Sequence, residues 1–121
     1  MNKNSTISDS ELEVMQILWK EHRPMKIQEV LDCLKSNNWK YNTVGTLLLR
    51  LEAKGAVSSF KNGRVIEYTP VLNEEEYKQN RTKSFVEKLY NGSVKDLTVS
   101  LFKSEAMTAE DIAEIKKMFD L

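Results

Sequence analysis

Two groups of polar and basic side chains lie close together in the chain and could bind an anion. Thr43, Thr46 and Arg50 are spaced i, i+3 and i+7, so they would share one side of a helix. Lys61 and Arg64 flank a short Asn-Gly sequence a little further on. Hydroxyl, ammonium and guanidinium groups donate hydrogen bonds to phosphate oxygens and to the edges of bases. These residue types therefore predict contacts to a nucleic acid.

The distribution of charge favours the same chemistry, although the chain as a whole is neutral. Its 18 basic residues balance its 18 acidic residues. Between Lys35 and Arg64, however, six basic residues face a single acidic one, Glu52, which gives this segment a net charge of +5. Lys40 and Asn42 lie in the same segment and add further donors. Such asymmetry indicates a polyanion-binding surface, and an ordinary solvated surface is the alternative.

Candidate catalytic and metal-binding residues are few. The chain has one cysteine, Cys33, and one histidine, His22, which cannot together supply a zinc ligand set or a credible catalytic triad. The sequence contains no glycine-rich phosphate loop. We therefore expect no enzymatic activity, no cofactor, no metal and no small-molecule ligand. Cys33 lies between Val30 and Leu34 without a second cysteine, so we interpret it as a structural thiol.

The length and the apolar pattern indicate a cytoplasmic protein with one domain, or with a small domain and an appendage. The chain has 121 residues, and its longest apolar runs, such as Leu47–Leu49, are far too short to cross a bilayer. The first residues lack the apolar core of a signal peptide. A lone cysteine also suits a reducing compartment.

Two predicted helices precede the basic segment, and a third lies within it. The first begins at a capping box, Ser8-x-x-Glu11, and ends before Pro24. The second is shorter and also carries its apolar residues at helical spacing. The third runs from Tyr41 to Lys54, and the glycine that follows can end it in the left-handed conformation. The apolar stripes of the second and third helices are Ile27, Val30, Leu31 and Leu34, and Val44, Leu47, Leu48 and Leu51.

A β-hairpin is predicted between the third helix and Pro70. Asn62-Gly63 separates two runs that contain apolar residues, and this dipeptide is the preferred central pair of a type I′ turn. We expect the hairpin to pack on the helices and to extend its polar tip, from Lys61 to Arg64, into solvent. The packing would use one or more of Phe60, Val65, Ile66 and Tyr68.

Three helices followed by a hairpin give the element order of a winged helix-turn-helix. The predicted fold class is therefore mainly α, with three helices, a β-hairpin wing and a helical dimerisation region after it. The third helix would read bases in the major groove of DNA, and the wing would contact the flanking phosphate backbone. The alternative is a winged-helix adaptor that binds a protein and not DNA, because a fold does not dictate its function.

The segment after Pro70 predicts an assembly of two chains. Its helices have narrow apolar stripes, and isolated helices of such length are marginal in water, so they need a partner surface. The simplest partner is the same segment of a second copy, although folding back on the wing domain is the alternative. We assign residues 1–70 to DNA binding and residues 71–121 to dimerisation. The predicted dimerisation residues are Phe85, Leu89, Leu97, Leu101, Phe102, Ile112, Ile115 and Phe119.

Three stretches together resemble one protein family. "ISDSELEVMQILW", "NTVGTLLLRLEAKGAV" and "KNGRVIEYTP" are similar to the BlaI/MecI/CopY family of penicillinase-type repressors, and the likeness extends through the final "EDIAEIKKM". The resemblance implies a homodimeric winged-helix repressor. Such a protein occupies a pseudo-palindromic operator of double-stranded DNA and blocks transcription. In one branch of the family the repressed genes are those of β-lactam resistance.

The resemblance also carries over to individual residues. Thr43, Thr46 and Arg50 match polar positions of the family's recognition helix, whereas Asn42 and Gly45 stand where family members often have Lys and Gln. Lys61 and Arg64 match the wing. The full predicted DNA-binding set is Lys40, Asn42, Thr43, Thr46 and Arg50 on the recognition helix, and Lys61, Asn62 and Arg64 on the wing.

Members of the family differ in how they leave DNA. In the β-lactam-responsive branch the dimerisation helices are cleaved after a membrane sensor-protease detects the antibiotic. The bond that matches by position is Ser100–Leu101, where those relatives tend to have Asn-Phe. The copper-responsive branch carries a cysteine cluster near its C-terminus, and this sequence has none, which excludes a copper-sensing cluster. A third alternative is an orphan regulator with another target.

Overall fold

A computed structural model gives the structure of residues 6–34 and 38–119. Lys35, which belongs to the basic segment, lies outside the described residues. The chain divides into two compact units, Met1–Glu76 and Tyr77–Leu121. The first unit contains the first three helices and the hairpin, and the second contains most of the helical segment that follows the hairpin.

The first helix, α1, is fixed at both ends by its sequence. It spans Asp9–Glu21, and the predicted capping box is confirmed. The backbone N–H of Ser8 donates to Glu11 Oε1 at 2.8 Å, and that of Glu11 donates to Ser8 Oγ at 3.2 Å. The helix ends at His22, which is left-handed with φ 54°. Its inner face buries Val14, Met15, Leu18 and Trp19.

Helices α2 and α3 complete the helical core. They span Ile27–Cys33 and Tyr41–Ala53. The predicted apolar stripe of α3 is confirmed, because Val44, Leu48 and Leu51 are 0% exposed and Leu47 is 6% exposed. Gly55 follows α3 with φ 78°, the left-handed conformation that was expected of it.

A small antiparallel sheet covers the other side of this core. Strand β1 spans Met25–Lys26, β2 spans Val57–Asn62 and β3 spans Val65–Pro70. Their order is β1-β3-β2, and Met25 pairs with Tyr68. The hairpin of β2 and β3 is the predicted wing. The mainly α winged helix-turn-helix fold is therefore confirmed, with β1 as an additional strand that was not predicted.

The turn of the wing differs from the prediction. Asn62 pairs with Val65, so the two central residues are Gly63 and Arg64 rather than Asn62 and Gly63. Gly63 has φ 68°, whereas Arg64 has no positive φ. A type I′ turn needs positive φ at both central positions, and a type II′ turn needs it only at the first. The type I′ prediction is wrong because the strands pair one residue further along β2 than expected.

The wing packs on the core at its base, through Tyr68 of the predicted set and through Val57. Tyr68 and Val57 are both 3% exposed, so the base of the hairpin is buried. The expected packing is confirmed through Tyr68, whereas Phe60, Val65 and Ile66 are exposed. Side chains alternate between the two faces of a strand, and the helices cover one face only near the base.

The connection from the wing to the next helix is held against the core. The backbone N–H groups of Val71 and Leu72 both donate to Ala56 O, at 2.8 and 3.0 Å. The indole Nε1 of Trp19 donates to Leu72 O at 2.9 Å. These hydrogen bonds extend the first unit past Pro70.

The helices after the wing begin at polar caps. Helix α4 spans Glu74–Tyr90, α5 spans Val94–Lys103 and α6 spans Ala109–Met118. Asn73 Oδ1 accepts from the N–H of Glu76, Ser93 Oγ accepts from that of Asp96, and Thr108 Oγ1 accepts from that of Asp111. Among the described residues of the second unit, Val86 is the one buried apolar side chain. None of the helices described here combines the length and the apolarity that crossing a membrane requires.

Candidate nucleic-acid interface

One side of α3 carries polar groups and faces solvent. Thr43, Thr46 and Arg50 are exposed, and so are Lys40 and Asn42 at the start of the helix. The opposite side of the same helix is the buried apolar stripe. An amphipathic helix of this kind is held by its apolar side and leaves its polar side free for a ligand.

The C-terminal end of α3 is tied to the start of α1 by an ion pair. Lys54 Nζ lies 2.6 Å from Glu11 Oε1, and it also donates to the carbonyl oxygen of Thr6 at 2.8 Å. The side chain of Glu11 is 3% exposed and that of Lys54 is 29% exposed. Neither local pattern nor spacing predicted this contact, because the two residues lie far apart in the chain.

The partners of Glu11 keep its buried carboxylate ionised. Burial raises the pKa of Glu11, but the hydrogen bond from Lys54, the backbone N–H of Ser8 and the charge of Lys54 together lower it by more. The pKa of Glu11 is therefore below its ordinary value of 4.5. A buried charge with these partners fixes the geometry at this point, since its separation from Lys54 would leave it unpaired.

The contact between α2 and α3 is close at Gly45. A Cβ atom added at Gly45 would lie 3.4 Å from Cδ1 of Ile27. Gly45 is half-buried and therefore lies on the side of α3 that approaches α2, between the buried stripe and the polar side. The packing would accept a methyl group at this distance, so the lack of a side chain at Gly45 chiefly removes a group that could read a base.

The tip of the wing is polar, cationic and exposed. Lys61, Asn62 and Arg64 are all exposed, as the sequence predicted. Ser59 is the strand partner of the buried Tyr68. The tip lies three residues past Ser59, a distance of about 10 Å along the strand at ~3.4 Å per residue. Within residues 6–34 and 38–119, neither Lys61 nor Arg64 forms an ion pair, and Arg50 on α3 forms none. Their charges are therefore available to an anion.

The acidic residue of the basic segment lies at the base of the wing. Glu52 Oε2 accepts a hydrogen bond from Ser59 Oγ, which links the end of α3 to β2. Burial, the charge of Glu52 and Tyr41 raise the pKa of Tyr68 beside it. The negative charge thus lies at the junction of helix and wing and leaves the tip cationic.

The single cysteine and the single histidine both lie on the surface. Cys33 is exposed, so its interpretation as a structural thiol is wrong. It lies on the flank of α2 about 110° from the centre of the apolar stripe, at 100° per residue. His22 is exposed. Groups of three or more His, Cys, Asp or Glu suited to a metal ion do not occur in the described part of the chain.

The helices, the hairpin and the exposed cations define a winged helix-turn-helix protein. The chain belongs to the penicillinase repressor family, whose model matches residues 7–120. This match confirms the resemblance drawn from the sequence.

Similar proteins of known function support the same assignment. A penicillinase repressor of Bacillus licheniformis is 36% identical over 121 residues, which are 99% of this chain and 94% of that protein. The solution structure of the DNA binding domain of the repressor BlaI is 46% identical with a TM-score of 0.56, over 64% of this chain and 94% of that one. The monomeric form of Bacillus licheniformis BlaI in complex with the blaP half-operator is 44% identical with a TM-score of 0.51, over the same 64% and 94%.

Proposed function

We propose that this protein is a homodimeric transcriptional repressor that binds a pseudo-palindromic operator and regulates β-lactam resistance genes. The observation that carries the proposal is the pairing of the exposed polar side of α3 with the cationic tip of the wing. Thr43, Thr46 and Arg50 lie on the exposed side of a helix whose other side is buried. The solved BlaI structures supply the precedent, since one of them is a complex with a half-operator.

In this proposal the two surfaces have different roles. Asn42, Thr43, Thr46 and Arg50 contact base edges from α3 in the major groove, and Lys40 contacts a phosphate near the start of the helix. Lys61, Asn62 and Arg64 contact the phosphate backbone from the wing. Phosphate contacts provide most of the affinity that is independent of sequence, and base contacts provide the discrimination.

Dimerisation is assigned to the helices after the wing. Phe85, Leu89 and Phe102 are 48%, 62% and 50% exposed, so large apolar side chains lie on the surface of a single chain. Burying them against a second copy gives the favourable free energy that the narrow apolar stripes of the helices cannot supply alone. The remaining members of this surface are Leu97, Leu101, Ile112, Ile115 and Phe119.

Release from the operator is assigned to cleavage within the dimerisation helices. The Ser100–Leu101 bond lies inside α5 (Val94–Lys103), with Ser100 half-buried and Leu101 exposed. A protease needs an extended segment, so α5 must open locally before cleavage. The cleaving partner in this proposal is a membrane sensor-protease system, and the repressor itself is a cytoplasmic protein without enzymatic activity.

Selection from random duplex DNA tests the proposal directly. The purified protein should recover duplexes with a two-fold repeated motif, and the motif centres should lie one helical turn or a multiple of it apart. The Arg50→Ala variant should lose discrimination at a defined base pair. Recovery of no common motif, with no duplex bound at ~50 mM salt, would favour the protein-binding adaptor instead.

A further inference from the structure

The dipeptide Asn-Gly occurs twice in the chain, as Asn62-Gly63 at the tip of the wing and as Asn91-Gly92 after α4. Asparagine is one of the thermolabile residue types, and a following glycine has no Cβ to hinder access to its backbone nitrogen. All four residues are exposed. Both glycines have positive φ, 68° at Gly63 and 83° at Gly92, with open space where a Cβ would lie. The two sites therefore agree in sequence and in exposure.

The two sites differ in the backbone N–H of the glycine. The N–H of Gly92 donates to Val86 O at 3.0 Å, a hydrogen bond that closes the end of α4. Gly63 lies in the two-residue turn that follows the last strand pair, Asn62 with Val65. In the described part of the chain, the N–H of Gly63 donates to no backbone oxygen. The nitrogen of Gly63 is therefore free to react, whereas that of Gly92 is held.

We propose that Asn62 is a site of spontaneous deamidation and that this modification weakens DNA binding; the second half of the inference rests on the proposed function. The nitrogen of Gly63 attacks Cγ of Asn62, and a C–N bond forms. The side-chain nitrogen leaves as ammonia and takes the proton of the Gly63 N–H. Water then opens the succinimide ring, at Cγ to give aspartate or at the backbone carbonyl carbon to give isoaspartate. The attack is intramolecular, so it requires no enzyme.

The tip of the wing can open enough for this reaction. Asn62 must leave its strand conformation before the nitrogen of Gly63 can approach Cγ. The pair of Asn62 and Val65 is the last of the hairpin, both residues are exposed, and the buried Tyr68 lies three residues further along β3. Fraying at such an end costs little free energy. At the second site, the same opening would break the hydrogen bond of Gly92 that closes α4.

Deamidation changes the charge of the tip. Lys61 and Arg64 give it a charge of +2, and a carboxylate at position 62 lowers this to +1. In water, two unit charges about 7 Å apart repel with an energy that corresponds to about threefold in an equilibrium constant. A dimer has two wings, so complete modification should weaken DNA binding by about tenfold. Isoaspartate also lengthens the main chain by one carbon, which displaces the tip.

Bound DNA should protect the site. In the proposed complex, Lys61 and Arg64 contact phosphates and hold the tip in its strand geometry, so the nitrogen of Gly63 reaches Cγ of Asn62 less often. Repressor that is not on an operator would then be modified faster than repressor that is bound. The modification would lower the affinity of the unbound population with age, without any inducing signal.

Peptide mass spectrometry of the full chain, incubated at mildly alkaline pH, tests the chemistry. The peptide that contains Asn62 should gain the mass difference between a carboxylate and an amide and should separate into two products. The peptide that contains Asn91 is the internal control and should keep its amide over the same time. Equal modification at the two sites, or modification at Asn91 first, would overturn the inference and leave the proposed function standing.

Binding to a duplex recovered by selection tests the consequence. Incubated wild type should bind about tenfold more weakly than fresh protein at ~50 mM salt, and the difference should shrink at ~200 mM because a charge effect is screened. Asn62→Asp should show the same salt-dependent weakening without incubation.

Asn62→Gln is the matched control for other damage during incubation. Glutamine closes a six-membered ring much more slowly, so the affinity of this variant, whatever its starting value, should be the same before and after incubation. An equal decline in Asn62→Gln and the wild type, or a modified Asn62 with unchanged affinity, would overturn the inference. If fresh wild type binds no duplex, the proposed function fails together with the effect on DNA, whereas the mass change at Asn62 is still expected.

Discussion

Lys54 at the end of α3 and Glu11 in the first turn of α1 form an ion pair, with 2.6 Å between Nζ and Oε1. The same lysine donates to the carbonyl oxygen of Thr6, so the start of the chain's first helix is joined to the end of the proposed recognition helix. The orientation of the exposed side of α3 therefore depends on a contact between parts of the sequence that are far apart.

The first prediction concerns the pH dependence of stability. The pKa of Glu11 in the folded protein is below its ordinary value of 4.5, so the ionised form stabilises the fold. That stabilisation is fully present above about pH 4.5 and is lost as the pH falls through the lower folded pKa. Urea unfolding followed over this range should show a weaker pH dependence in Glu11→Gln than in the wild type.

The Glu11→Gln comparison is needed because a second carboxylate behaves similarly. The backbone N–H of Lys26 lowers the pKa of Glu29, and the hydrogen bond and charge of Arg23 add to this against the effect of burial. Glu29 is present in both proteins, so its contribution cancels in their difference. An unchanged pH dependence in Glu11→Gln would show that Glu11 is not paired in solution.

The second prediction isolates the ion pair itself. Lys54→Met should lower the free energy of unfolding by about 2 kcal/mol, because it leaves the buried Glu11 carboxylate without a cation and with hydrogen bonds from Ser8. Adding Glu11→Gln should recover part of this loss. A double-mutant cycle by chemical unfolding measures the coupling, and additive effects would contradict the pairing.

The third prediction concerns Gly45. A methyl group there would meet the flexible end of Ile27 at 3.4 Å, which is a tolerable contact. Gly45→Ala should therefore stabilise the protein by up to about 1 kcal/mol, the difference in helix propensity. Gly63→Ala is the opposite control, because φ 68° at that position costs an alanine about 1 kcal/mol. Thermal unfolding in which Gly45→Ala lowers the midpoint would show that α2 and α3 approach more closely than described.

The fourth prediction compares two truncations. A chain that ends after Glu76 should fold as a monomer, whereas one that ends after Pro70 should be less stable. The shorter chain loses the hydrogen bonds that Ala56 O and Trp19 Nε1 make to Val71 and Leu72. Unfolding experiments should rank the two, and sedimentation should show whether either is a dimer. A dimer of the longer fragment would place the interface outside residues 77–121.

Local sequence patterns predicted the helices well because their causes are local. The capping box of Ser8 and Glu11, the apolar stripe of α3 and the left-handed Gly55 each depend on residues within a few positions of one another. The same patterns indicated which side of α3 faces solvent. Helical spacing alone was therefore enough to identify the polar surface of the candidate interface.

Features that depend on distant residues could not be predicted in this way. β1 contains two residues and exists because Met25 pairs with Tyr68, and no period can be read from so short a strand. The turn type followed from the register of β2 against β3. The exposure of Ile66, which shares a strand face with the buried Tyr68, depended on how far the helices extend beneath the wing, and the alternation of apolar residues does not reveal this.

The most direct test of the central claim is the salt dependence of DNA binding by the wild type and Arg64→Ala. With Arg64 at a phosphate, its removal should weaken binding to all duplexes about equally and reduce the slope of log K against log salt by about 1 between ~50 and ~200 mM. The matched control is Lys20→Ala on α1, which should leave the slope unchanged. Equal slopes for Arg64→Ala and the wild type, or no DNA binding by the wild type, would contradict the claim that the wing and α3 form a DNA-binding surface.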